Sequence, residues 1–132
     1  PLGCAADLAV LDVIKRERLA ERALALGDRI VTRLRALQAR YACIGEVRGL
    51  GMMVAMELVR NRRADAPDAD LTKQLVQAAG RRGLVLLSCG IYSNVIRFLA
   101  PLTIGEQLLD EGLGLLEGAL EEVAGAGKRA TG

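Results

Sequence analysis

Apolar residues in the first half of the chain recur first at helical spacing and then at strand spacing. Residues 3–16 are mainly apolar and end in a charged run, which predicts a short helix. The pattern changes to that of strands over 44–59, where glycines mark bends or bulges and residues 52–59 read as a buried strand. Between the two lies an amphipathic helix whose apolar stripe is Leu19, Ala23, Leu26, Ile30, Leu34, Leu37 and Tyr41.

The second half repeats this alternation of helix and strand. A polar loop at 60–68 carries a helix-start signal and precedes a helix near 71–79, which Gly83 closes. We predict strands at 84–88 and at 95–100, and a capping box at 103–106 that opens the last helix. The buried stripe of that helix is predicted to be Leu109, Leu113, Leu116, Leu120 and Val123.

The order of these elements predicts the fold class. Residues 88–95 contain no helix, so the strands on either side of them should pair in antiparallel fashion. We therefore expect an α+β fold, a small antiparallel sheet covered by helices on one face. A chain of 132 residues supports one compact domain.

One charged residue, Arg97, stands inside an otherwise apolar predicted strand. A guanidinium remains charged at any accessible pH, so burying it requires an anionic partner, and a ligand carboxylate is one candidate. Strand alternation places Arg97 with Val95 and Leu99 on one face, and Ile96 with Phe98 on the other. Arg97 could equally be the solvated position of a half-exposed strand.

Composition excludes several classes of function. The net charge is +2, aromatic residues are 2% of the chain, and the basic residues form no face interleaved with aromatics, so we expect no nucleic-acid partner. No apolar run is long enough to predict a membrane span. The 3 cysteines are far apart and histidine is absent, which argues against disulfides and metal and favours a reducing cytoplasm.

Three segments in the same order resemble one family. Residues 87–97 read Leu-Ser-Cys-Gly-Ile-Tyr-Ser-Asn-Val-Ile-Arg, and Ala-Pro-Leu-Thr follows at 100–103. Residues 1–6 and the Arg-Gly-x-Gly stretch within 47–53 match the same pattern. The chain thereby resembles the 4-aminobutyrate (GABA) aminotransferases, class III pyridoxal-phosphate enzymes. The resemblance implies the C-terminal small domain of a fold type I enzyme over 1–124, and we predict a flexible tail at 125–132.

The resemblance also implies what this chain lacks. An aminotransferase needs a lysine that forms a Schiff base with pyridoxal 5'-phosphate. Lys15 lies in a charged helix end, Lys73 in an amphipathic helix and Lys128 in the predicted tail, so none has the dry position that such a lysine needs. In the family, that lysine and most cofactor ligands belong to a large domain upstream. We therefore predict no catalytic residue and no bound cofactor here, an inactive chain when alone, and a large pyridoxal-phosphate domain and a homodimeric partner in the intact enzyme.

The expected contribution of this chain is to substrate binding. In the resembling enzymes, the arginine of the Asn-Val-x-Arg motif, here Arg97, binds the α-carboxylate of glutamate or 2-oxoglutarate. During the GABA half-reaction it turns to a glutamate of the large domain. Gly90, Ile91 and Tyr92 are expected to line the substrate entrance.

The predicted reaction moves the amino group of GABA to 2-oxoglutarate, giving succinate semialdehyde and glutamate. Amino-acid and 2-oxo-acid substrates are therefore expected. Another ω-amino donor such as 5-aminovalerate is an alternative, and a stand-alone, non-catalytic small-molecule-binding module is a second.

Overall fold

Helices and strands alternate through residues 2–129, which are the residues that the computed structural model describes. Two helices open the chain and are followed by a hairpin of two strands. A third helix, two short strands and a last helix complete it. In chain order the elements are α1 (Leu2–Arg16), α2 (Leu19–Arg40), β1 (Ile44–Leu50), β2 (Met53–Leu58), α3 (Ala69–Arg81), β3 (Leu87–Cys89), β4 (Val95–Phe98) and α4 (Glu106–Arg129).

The strands form one antiparallel sheet in the order β1-β2-β4-β3. Strand β4 lies between β2 and β3, with Met56 opposite Ile96 and Ser88 opposite Ile96 on its other side. The predicted antiparallel pairing of the last two strands is confirmed, because the turn at 90–94 is too short for a crossover. The predicted α+β class is also confirmed.

Helices α2, α3 and α4 cover one face of the sheet. The apolar stripe of α2 packs on β1 and β2, and α3 and α4 pack against each other. The predicted stripe of α4 is buried as a whole, and Val54, Met56 and Ile96 supply fully buried side chains from the sheet. The opposite face, called the open face below, is not covered by any of the described elements. It carries Arg48, Ala55 and Arg97 in one row.

Gly27 is required where α2 passes the turn between β1 and β2. A Cβ at this position would lie 1.9 Å from the backbone oxygen of Gly51. No side chain fits in that space, so the absence of a Cβ allows the helix to approach the hairpin. This close contact sets how deeply α2 packs on the sheet.

Two element boundaries differ from the sequence prediction. Strand β3 begins at Leu87 rather than at 84, and β4 ends at Phe98 rather than at 100. The two strands pair only from Leu87 opposite Arg97 to Cys89 opposite Val95, so residues 84–86 have no strand partner. The apolar character of 84–86 reflects partial burial under α4 instead, since Leu86 is buried while Val85 is exposed.

The ends of α4 also differ. The first bond of the helix runs from the Leu109 N–H to the Gly105 carbonyl, so Gly105 rather than Thr103 holds the cap position, and the predicted capping box is wrong. The helix continues to Arg129, past the predicted start of a tail at 125. Residues 130–132 of that predicted tail lie outside the described residues. The domain boundary at 124 stays a prediction.

Helix α1 contributes little to the core. None of its residues is buried, and its apolar side chains, such as Leu8 and Leu11, remain exposed. Arg18, in a left-handed conformation, separates α1 from α2. None of the helices in the described range is both long and apolar enough to cross a membrane.

Candidate functional site

Arg97 lies at the centre of the open face. It sits on β4 between Ala55 of β2 and Leu87 of β3, its partners in the ladder. Its neighbour Ile96 is fully buried against the helices, whereas Arg97 itself is exposed. Alternation along the strand therefore directs the guanidinium away from the core of this chain, which is the solvated alternative that the sequence left open.

The guanidinium of Arg97 has no acidic partner among the residues whose side chains are described, 2–125. No carboxylate oxygen in that range lies within 4.0 Å of it. A planar cation on an open sheet face, with its donors unused by neighbouring carboxylates, can form two parallel hydrogen bonds to an incoming carboxylate.

Arg48, in the same row of the sheet, is held by two carboxylates. Its Nη1 atom lies 2.5 Å from Oε2 of Glu46 and 3.1 Å from Oε2 of Glu57. The hydrogen bond to Glu57 is the main reason that the pKa of Arg48 is raised above its ordinary value. Arg48 therefore ties β1 to β2, since Glu46 lies on β1 and Glu57 lies on β2.

Sequence reasoning missed Asn94, which is one of the few buried polar residues of the described chain. Asn94 is 2% exposed and donates from Nδ2 to Oε1 of Glu57 at 3.1 Å and to the carbonyl of Leu58 at 2.9 Å. Its own carbonyl accepts from the Leu58 N–H at 2.7 Å. The available signal was a polar residue directly before the buried strand that carries Arg97.

The loop before β4 is tightly turned and exposed at its tip. Gly90 has φ +88°, which favours glycine, and a Cβ there would lie 3.1 Å from Cγ2 of Val95. Ile91 and Tyr92 are exposed. Arg97 lines two depressions of the protein surface, and the residues that line them do not include Gly90, Ile91 or Tyr92. Their place at a substrate entrance stays a prediction.

Arg97 stands between two depressions of the surface. A depression of about 250 Å³ on the open face is lined by Arg97 together with Arg48, Gly49, Met53, Val54 and Ala55. An apolar groove of about 330 Å³ runs from Arg97 and Leu99 towards the first turns of α4 and residues 83–86. A ligand that reached Arg97 would therefore meet a second arginine, Arg48, on the open face and one carboxylate, Glu111, in the groove, in otherwise mainly apolar surroundings.

The described residues do not fit a pyridoxal-phosphate site. Lys15 and Lys73 are exposed on helices, so neither is enclosed in a pocket that could hold a cofactor against it. The side chain of Lys128 is outside the described range. Among the residues whose side chains are described, the site therefore offers an exposed arginine and no lysine in an enclosed position.

Comparisons with known proteins find relatives that match most of this chain. The chain is 48% identical to a 5-aminovalerate aminotransferase of Pseudomonas aeruginosa, over 94% of this chain and 29% of that protein. It is 46% identical to a 4-aminobutyrate aminotransferase of Mycobacterium tuberculosis, over 88% of this chain and 26% of that protein. The chain thus spans less than a third of the length of these relatives.

A solved structure shares the fold. It is an amine transaminase from an uncultivated Pseudomonas species, in its PLP-bound internal aldimine form. It superposes with a TM-score of 0.81 at 34% identity, over 91% of this chain and 27% of that one. The model of the family described as Aminotransferase class-III matches residues 1–120. With nine-tenths of its length matched, this chain belongs to the class-III aminotransferase family.

Proposed function

We propose that this chain is the substrate-carboxylate-binding part of a pyridoxal-phosphate-dependent aminotransferase that acts on ω-amino acids. The amino group would pass from 4-aminobutyrate to 2-oxoglutarate, giving succinate semialdehyde and glutamate. 5-Aminovalerate is the second candidate donor, because a 5-aminovalerate aminotransferase is 48% identical to this chain. The two donors differ by one methylene group, and a single methylene is a small difference for a binding site to distinguish.

The observation that supports this proposal is the position of Arg97. Its guanidinium is exposed on the open face and pairs with no carboxylate among residues 2–125, whose side chains are described. Arg97 would donate two parallel hydrogen bonds to the α-carboxylate of 2-oxoglutarate or glutamate. These bonds would orient the substrate and increase its affinity. Arg97 would therefore act in the half-reaction of the oxo acid.

The other half-reaction has a different requirement. A donor such as 4-aminobutyrate carries no carboxylate beside its amine, so Arg97 gains no ion pair from it at that position. The guanidinium of Arg97 must then bind another anion or remain hydrated. Arg97 should consequently distinguish the acceptor from the donor, as a double-displacement cycle requires.

The remaining parts of the site lie outside this chain. We propose that a large domain of the same enzyme supplies the Schiff-base lysine and the cofactor ligands, and that two copies form a dimer. The free cysteines, Cys4, Cys43 and Cys89, are compatible with the proposed location in the cytoplasm. This chain alone should bind no cofactor and should not transfer an amino group.

The experiment that tests the proposal uses the protein encoded by the complete reading frame that contains this chain. Glutamate formation from 2-oxoglutarate is measured with 4-aminobutyrate, with 5-aminovalerate and without a donor. We expect glutamate with both donors, and the larger kcat/KM identifies the physiological donor. The proposed function would be refuted if glutamate formed with neither of the two ω-amino acids.

A further inference from the structure

Glu57 occupies the position from which a carboxylate of this chain could compete for Arg97. On β2, Ala55 lies opposite Arg97 and Glu57 lies opposite Val95, so Glu57 and Arg97 are diagonal neighbours on the open face. Diagonal neighbours in an antiparallel pair have Cα atoms about 7–8 Å apart, a separation that long side chains span. Within the described residues, however, Glu57 forms no ion pair with Arg97.

The carboxylate of Glu57 is occupied by two other groups. Its Oε2 atom accepts from Nη1 of Arg48 at 3.1 Å, and its Oε1 atom accepts from Nδ2 of Asn94 at 3.1 Å. The Glu57 side chain is 25% exposed, so these bonds form in a partly dry environment. Hydrogen bonds to an ionised carboxylate are stronger there than in open solvent.

Asn94 has a fixed orientation. Both hydrogens of its amide nitrogen are used, one on Glu57 and one on the carbonyl of Leu58 at 2.9 Å. Its backbone carbonyl is bound to the Leu58 N–H at 2.7 Å. The buried amide therefore presents a hydrogen to Glu57 from the side away from the row of Arg97.

We propose that Arg48 and Asn94 are positioning residues that hold the Glu57 carboxylate away from Arg97, and so keep Arg97 available for the substrate carboxylate. The inference rests on the proposed function of Arg97. If either positioning residue is lost, one oxygen of Glu57 is released and can pair with the diagonal guanidinium. Substrate must then displace an internal competitor, which raises KM for the oxo acid without changing the chemistry of the bound complex.

The test measures KM for 2-oxoglutarate in the complete enzyme carrying Arg48→Met. We expect an increase of about fivefold, which corresponds to about 1 kcal/mol, with kcat and the kcat/KM for the ω-amino donor little changed. Adding Glu57→Gln should restore KM, because an amide cannot form the competing ion pair. A KM that stays at the wild-type value in Arg48→Met would overturn the inference.

A matched control separates competition from a change in net charge. Arg48→Met/Glu46→Gln restores the same net charge as Arg48→Met/Glu57→Gln, but it leaves the Glu57 carboxylate in place. Glu46 lies on β1, two strands from Arg97, so this double variant should keep the raised KM. Equal recovery in the two double variants would show a general electrostatic effect and refute the positioning role.

Two further variants complete the test. Asn94→Ala releases the other oxygen of Glu57 and should raise KM in the same way, which covers the case that Arg48→Met does not fold. Glu57→Gln alone should leave KM unchanged, whereas a merely structural network predicts that it is as harmful as Arg48→Met.

Arg97→Gln, measured in parallel, separates the positioning inference from the proposed function of Arg97. If it raises KM and Arg48→Met does not, only the positioning inference fails; if it has no effect, the proposed function fails as well.

Discussion

Glycine at position 27 shows how one missing methyl group determines the packing of a helix on the sheet. The space that a Cβ would need is occupied by backbone atoms of Gly51, the nearest at 1.9 Å, and backbone cannot move aside as a side-chain tip can. The β1–β2 hairpin also depends on Gly51, whose φ of +55° is rarely adopted by other residues. The packing of α2 on the hairpin therefore depends on glycine at both positions, 27 and 51.

The first prediction compares two glycines in helices. Gly27→Ala should lower the free energy of unfolding by about 2 kcal/mol or more, since overpacking against backbone forces α2 away from the hairpin. Gly80→Ala, in the exposed part of α3 where a Cβ meets nothing within 4 Å, should raise stability by about 0.5–1 kcal/mol. Urea unfolding of the chain measures both. Similar effects in the two variants would contradict this account.

Sequence reasoning located Arg97 correctly on the strand but could not show its surroundings. Strand alternation predicted that Arg97 and Ile96 lie on opposite faces of the sheet. The structure confirms this, because Arg97 is exposed and Ile96 is fully buried. Val95 is nevertheless buried, because the turn at Gly90 folds against it. The Glu57–Asn94 bond joins residues 37 positions apart, and no local pattern reports such a contact.

At the scale of elements, α2 and α4 are joined across the surface by ion pairs. Glu117 accepts from Nη2 of Arg33 at 2.5 Å and also pairs with Arg40, while Asp110 pairs with Arg29. The hydrogen bond from Arg40, together with the charge of Arg33, lowers the pKa of Glu117 below its ordinary value of 4.5. The Arg29 guanidinium likewise lowers the pKa of Asp110.

The second prediction concerns acid. A carboxyl whose pKa is lower in the folded state stabilises the protein above its unfolded pKa, and this contribution is lost as the pH falls through the folded value. Glu117→Gln should therefore destabilise the chain at pH 7, and the difference from wild type should shrink as the pH falls below about 4. Thermal unfolding across that range tests this. Glu111→Gln, on the same helix, is the control and should leave the dependence of thermal stability on pH unchanged. A stability difference between Glu117→Gln and wild type that stays constant with pH would contradict the prediction.

The third prediction concerns α1. Because none of its residues is buried, deleting residues 1–16 should move the thermal midpoint of this chain by no more than about 2 °C. Circular dichroism would show the loss of helical signal without a loss of cooperativity. A fall of the midpoint by more than about 5 °C would mean that α1 supports the core.

The sequence predicted elements well where periodicity was long, and poorly where an end depended on a distant partner. The α2 and α4 stripes are confirmed because each extends over several turns with one face buried. The start of β3 was misplaced because pairing stops where β4 ends, and the cap of α4 was misplaced because Gly105 accepts the first helical bond. Such boundaries are set by tertiary contacts, which a local pattern does not contain.

At the scale of the whole molecule, we propose that other parts of an enzyme cover apolar surface that this chain leaves exposed. The helices cover one sheet face, while the open face and its rim expose large apolar side chains, among them Leu50, Met53, Val85, Leu87, Ile91 and Leu99. Contiguous exposed apolar surface is typical of an interface.

The central claim is that Arg97 binds the carboxylate of the oxo acid, and the most direct measurement compares the two substrates in the complete enzyme carrying Arg97→Gln. In a double-displacement cycle, the kcat/KM of each substrate reports its own half-reaction. We predict that the value for 2-oxoglutarate falls by the equivalent of about 2–5 kcal/mol, because a carboxylate is left without its partner, and that the value for the ω-amino donor falls much less. Equal losses for both substrates would contradict the account.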